Sequence, residues 1–218
     1  FIDFGFPFEP KHNTLLVFLV VAVPTLALAF WARPGPLPRG SMLREIGHFV
    51  IPAALTIYAF GMLVYVMAIF ATVLGTVDVA VTPDMVAEFR TFTGINYDIS
   101  APNDFIREVA FLAAQTVLTS FLVYSGLILV IFVEPPAQWF VGGDEWSGDW
   151  RPTLLAGALL LVYIVILLID PLRSFFELLN LPLSWHLLIA AAALVWMLFL
   201  RLVWRRNWLK RFFGSAKA

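Results

Sequence analysis

The 218-residue chain contains no cysteine, which removes disulfide frameworks, thiolate metal sites, thiol chemistry and iron–sulfur clusters. Charge is scarce as well. Asp, Glu, Lys and Arg make up 13% of the residues, against about 25% in an ordinary soluble domain. The 14 basic and 15 acidic residues leave a formal net charge of −1, which excludes a strongly basic nucleic-acid binder. Gly142-Gly143 is not followed by Lys, so no phosphate-cradling loop of the Walker type is present. No paired groups suited to nucleophilic or acid–base catalysis stand near one another. His12, His48 and His186 fall at span ends on both membrane faces and cannot form one cluster. Behind Phe1 there is no basic n-region with a small-residue cleavage site, so the chain is expected to begin inside a longer or partly seen polypeptide.

Apolar surface fills the space that charge leaves. Apolar residues reach 61% and mean hydropathy +0.88, more than a water-facing shell can hide. The composition is that of an integral membrane protein. A spanning helix needs about 20 mostly apolar residues, and five runs qualify: 14–31 (with Asn13 at its edge), 48–73, 109–133, 153–169 and 187–204. The runs are continuously apolar rather than alternating, which excludes a closed β-barrel. The expected fold is an all-α bundle of five transmembrane helices forming a single domain.

Loop charge orients the bundle. The link 32–45 carries Arg33, Arg39 and Arg44, and the tail carries Arg205, Arg206, Lys210, Arg211 and Lys217. The segment 75–108 is acidic, with Asp78, Asp84, Glu88, Asp98, Asp104 and Glu108 against Arg90 and Arg107. The positive-inside rule places the 32–45 link and the C-terminus in the cytoplasm, and five spans then place Phe1 outside. An Arg39→Cys variant is therefore expected to resist an impermeant thiol reagent added outside, and Asn96→Cys to react with it. The opposite labelling pattern would overturn this orientation. The 75–108 segment reads as an external loop, with a short helix at 83–92 and turn residues around Gly94, Asn96, Pro102 and Asn103.

The tail 205–218 alternates basic and apolar pairs. Arg205, Arg206, Trp208, Lys210 and Arg211 suit an amphipathic helix anchored on anionic lipids, not nucleic acid. No ionisable residue lies mid-span, since Arg201 is near the end of the last run and can snorkel. Polar groups concentrate in the third run: Gln115 and Thr119 on one helical face, Thr116, Ser120 and Tyr124 on the adjacent one. They are suited to bonds across helices, or to lining part of an ion path. Pro24 interrupts the first run and frees a backbone carbonyl near Val20.

The order of local motifs carries a resemblance. Phe6-Pro7-Phe8-Glu9-Pro10-Lys11-His12, followed by Asn13-Thr14-Leu15 and Val23-Pro24-Thr25-Leu26-Ala27-Leu28, resembles the opening and body of the sixth membrane helix of bacterial cation-pumping P-type ATPases. Arg33-Pro34, Phe132-Val133-Glu134-Pro135-Pro136, Gly142-Gly143-Asp144-Glu145, Gly148-Asp149-Trp150-Arg151-Pro152 and Pro171-Leu172-Arg173 with Phe175-Phe176 are similar to later loops of that group, in order. The likeness covers nearly the whole chain and implies helices six to ten of such a pump, in a bacterial inner membrane. It also implies that Thr14, Thr25, Gln115 and Thr119 are ion-path candidates, and that the parent protein uses ATP and Mg2+. This chain has no cofactor of its own, and its metal is unknown.

Two features depart from the family. The phosphorylated Asp-Lys-Thr-Gly motif is absent with the nucleotide and actuator domains, so this chain alone cannot hydrolyse ATP. Val17 to Val23 is wholly apolar where the family usually offers polar or acidic ligands. The alternative is a non-catalytic scaffold subunit that packs against other transmembrane helices or subunits. A pigment- or haem-binding protein would need a histidine facing the cofactor. On the pump reading the first span is expected to bend or unwind near Val20 to Pro24. Gln115 and Thr119 are expected to bond to neighbouring helices, and no cation to be held by these five helices alone.

Overall fold

A computed structural model describes residues 7, 9–32, 42–76, 80–94, 97, 102–133 and 148–206. Of these, 88% are helical and none is in a strand. The first span joins α1 (Pro10–Leu16), a π-helical stretch (Val17–Ala22) and α2 (Val23–Trp31). Then follow α3 (Met42–Thr76), α4 (Pro83–Thr93), α5 (Pro102–Val133), α6 (Arg151–Leu168), α7 (Asp170–Phe175) and α8 (Leu183–Arg205). Five helical stretches are long and apolar enough to cross a membrane: Pro10–Trp31, Phe49–Thr76, Pro102–Val133, Arg151–Leu168 and Leu183–Arg205. The chain is an all-α, five-span membrane protein.

Each span extends beyond its apolar run at one end at least, and α6 alone also stops short of its run, at Leu168. Polar residues can continue a helix beyond the apolar zone when its ends are capped. Pro10 sits at N1 of α1, where its missing N–H is no loss. α5 starts at Pro102 and α3 runs to Thr76, so the connection expected over 75–108 is shorter than the charge pattern suggests. Its short helix, α4, is built by local signals. The Thr82 hydroxyl accepts from the Met85 N–H, Pro83 fixes the first turn, and Gly94 adopts the left-handed conformation (φ 75°) that ends it. Phe89, Tyr97 and Phe105 form an edge-to-face trio that clamps this cap onto α5. Burial, then the nearby Glu108 carboxylate, pushes the Tyr97 hydroxyl above its ordinary range.

α5 is the axis of the bundle, and each of its faces has its own partner. Leu118, Phe121 and Leu122 meet α3 at Gly61. Gly126 meets the first span at Val20, Ser120 meets Tyr163 of α6, and the Phe121 ring meets Trp196 of α8. Two buried clusters result, one joining α3, α5 and α8 and the other joining the first span, α5, α6 and Leu178.

Pro24 shapes the first span. Its ring would clash with the Val20 carbonyl in an α-helical register. The chain widens one turn instead, and the Val23 N–H reaches the Phe18 carbonyl in an i→i+5 bond. The span therefore stays helical through the region expected to bend or unwind, with its irregularity drawn back to Val17–Ala22.

Candidate functional site

The polar groups of α5 are used by a recurring device. A hydroxyl donates to a carbonyl of its own helix and keeps a lone pair for a donor from elsewhere. Thr116 Oγ1 donates to the Leu112 carbonyl at 2.9 Å and accepts from the Leu179 N–H at 3.0 Å. Ser120 Oγ donates to the Thr116 carbonyl at 2.9 Å, so its 2.7 Å contact with Tyr163 is donated by the Tyr163 hydroxyl. Thr56 on α3 repeats the pattern, donating to Ala53 and accepting from Trp196 Nε1 at 3.1 Å. None of these three hydroxyls has a proton left for a ligand.

The Leu179 donor belongs to an inward-reaching turn between α7 and α8. α7 ends in a Schellman motif: the Leu178 N–H bonds to the Arg173 carbonyl and the Glu177 N–H to Ser174. The residue in the left-handed position is Glu177, with φ 55°, where glycine is usual. Leu178 is fully buried. A backbone N–H drawn into the protein needs an acceptor, and Thr116 supplies it for Leu179. Thr116→Val is expected to strand the Leu179 N–H at about 1–3 kcal/mol. The check is faster proteolysis or labelling at Asn180 in the variant, and unchanged protection there would refute the assignment.

The first span docks on the same turn. Lys11 Nζ reaches Glu177 Oε1 at 2.6 Å and lies 5.8 Å from the Phe175 ring centroid. Buried His12 places Nε2 3.3 Å from the Glu177 carbonyl. Beside this junction a groove of about 720 Å³ opens between α4, the start of α5 and α7, with Phe89, Phe92, Phe105, Glu88, Arg173 and Asn180 among its walls. Arg173 is turned to Asp170 and to the Leu167 carbonyl, where it caps α6.

The structure separates the four ion-path candidates. Gln115 and Thr119 are buried on α5. Thr14 and Thr25 are exposed on the first span, and the Thr14 hydroxyl bonds back to the Pro10 carbonyl at 3.0 Å. The expectation that Thr119 bonds to a neighbouring helix is corrected: its hydroxyl is enclosed with no hydrogen-bond partner among the described residues. The adjacent face, Thr116 and Ser120, makes the inter-element bonds instead. Tyr163 and Glu177 were not singled out by the sequence, although Tyr163 is the only hydroxyl deep within its apolar run.

At the opposite end, Trp204 stacks on Phe49 at 4.7 Å and packs T-shaped against Phe132, while Arg151 lies over Trp31. Of the anchoring residues, Arg205 and Arg206 are exposed at the end of α8, whereas Trp208, Lys210 and Arg211 lie outside the described residues. Among the described residues no group of three or more His, Asp or Glu is placed to hold a metal ion. Comparison with protein-family models, with curated proteins and with solved structures finds no match.

Proposed function

We propose that this chain is the membrane-domain portion of a P-type cation-transporting ATPase, its spans standing as the sixth to tenth helices of the parent pump. The observation that carries the reading is the π-helical stretch ahead of Pro24 in the first span. A proline-interrupted helix with a widened turn is the kind of irregularity that frames ion sites inside membranes. It occurs within the segment whose motifs resemble the pump's sixth helix. Val17, Phe18, Val21 and Thr25 are exposed around that turn, so helices outside this chain would complete any site there. On this reading Phe1 is external and the basic tail lies on anionic lipids of a bacterial inner membrane. The missing domains bind ATP and Mg2+.

The test begins with the coding sequence upstream of Phe1 and continues with the full-length protein. The expected result is an Asp-Lys-Thr-Gly motif and an aspartyl phosphate formed from radiolabelled ATP with Mg2+, abolished by Asp→Asn in that motif. A coding sequence without the motif would overturn the reading.

A second reading, a non-catalytic scaffold subunit, is favoured by one observation. The hydroxyls of Thr56, Thr116 and Ser120 are all committed to structural bonds. Co-purification with stoichiometric partner subunits, without phosphoenzyme, would select it.

A further inference from the structure

Two buried polar atoms have no hydrogen-bond partner among the described residues where the first span meets α5: His12 Nδ1 and Thr119 Oγ1. Both side chains are at 0% exposure. Helix geometry relates them. Thr119, Val123, Gly126 and Val130 recur at steps of three and four, so they share one face of α5. That face meets the first span: Val20 lies over Gly126, and Val123 and Val130 share a buried cluster with Leu15 and Leu19. His12 precedes Leu15 and Leu19 at the same steps. Counted from the Val20–Gly126 contact, His12 lies eight residues back along its helix, through the wider π-helical turn, and Thr119 seven back along α5, each about 10–12 Å at about 1.5 Å per residue or a little less. As the first and third of five successive spans, the two helices run the same way, so the side chains come to one level.

Their chemistries are complementary. The Glu177 carbonyl can only accept, so His12 Nε2 carries the ring proton directed at it. In the neutral ring Nδ1 is then a bare acceptor. Thr119, unlike Thr116 and Ser120, has not given its proton to its own helix. One atom needs a donor and the other can give one.

We propose that a single water molecule is held between His12 Nδ1 and Thr119 Oγ1, donating to the first and accepting from the second. A buried water needs at least two polar partners, and it satisfies groups that would otherwise be costly to enclose. A cation does not suit the place, because the neighbouring Glu177 carboxylate is already taken by the Lys11 ammonium. The water extends the junction at this end of the bundle. Glu177 is gripped through its side chain by Lys11 and through its carbonyl by His12, and the water ties His12 to α5.

Solid-state NMR with 15N-labelled histidine, on the protein in lipid bilayers, tests this directly. His48→Gln and His186→Gln leave only the two ring signals of His12. The expected spectrum has a protonated Nε2, an unprotonated Nδ1 shifted by an accepted hydrogen bond, and a cross-peak from Nδ1 to water protons. Thr119→Val should abolish the cross-peak and move Nδ1 to its free-acceptor position, while Thr119→Ser keeps both. A protonated Nδ1, a bond to Thr119 with no water cross-peak, or a Thr119→Val spectrum unchanged at Nδ1 would overturn the proposal. The serine variant distinguishes loss of the hydroxyl from general misfolding.

Discussion

Truncation of Trp196 to alanine is expected to be the most damaging single change in the bundle, at about 3–5 kcal/mol. The indole is fully enclosed between α3, α5 and α8. It packs T-shaped against the Phe121 ring with centroids 6.5 Å apart, and its N–H is held by Thr56. Lipid is as apolar as the core, so helix association inside a membrane rests on close packing more than on leaving water. Removing the largest buried side chain forfeits many of those contacts at once and leaves a cavity. Trp196→Phe keeps most of the volume and loses only the bond to Thr56, which still bonds to Ala53. Its cost should be clearly smaller. Denaturant-induced unfolding in mixed micelles gives both values, and a Trp196→Ala loss below about 1 kcal/mol would show that this packing is dispensable.

Gly126→Ala should come next, at about 1–3 kcal/mol of overpacking. A Cβ at this position would lie 2.2 Å from Val20 Cγ1, 3.1 Å from Cγ2 and 3.2 Å from Cβ. A valine rotamer change can move the methyls but leaves the Cβ at 3.2 Å, so the backbones must still give by a few tenths of an ångström. Val20→Ala removes both methyl branches, so the double variant should recover much of the lost stability. In a double-mutant cycle the coupling should be about 1 kcal/mol or more. Additive losses would mean that the two residues do not press on each other. Gly61→Ala is a control, since its nearest neighbour is the movable end of Leu118 at 3.2 Å.

These contacts show what the sequence could and could not convey. The five spans were legible because hydropathy integrates over a whole crossing, and α4 because Thr82, Pro83 and Gly94 act on their nearest neighbours. The concentration of hydroxyls in one helix marked α5 as the polar helix of the bundle. Which face was used was not legible. Thr116 and Thr119 differ by less than one turn, and the face that is used depends on the Leu179 backbone, which meets Thr116, and on Tyr163 of another span, which meets Ser120. The scatter of the ion-path candidates has the same cause. Thr14 and Thr25 lie on the first span like His12, but rotation about that helix leaves them exposed while His12 is enclosed. Glu177 gave no signal, since a left-handed glutamate looks like any loop glutamate until its helix end is seen.

The unequal lengths of the spans bear on the surrounding lipid. α6 has 18 residues, about 27 Å at 1.5 Å per residue, and presents Leu154, Leu161, Val165 and Leu168 outward. The apolar stretch of α3, Phe49–Thr76, has 28 residues, about 42 Å by the same rise. It presents Leu55, Leu63, Met67 and Leu74. Annular lipids therefore meet a low wall along α6 and a high one along α3. Hydrophobic mismatch of opposite sign at the two walls is relieved by thinning the bilayer beside α6 and tilting α3.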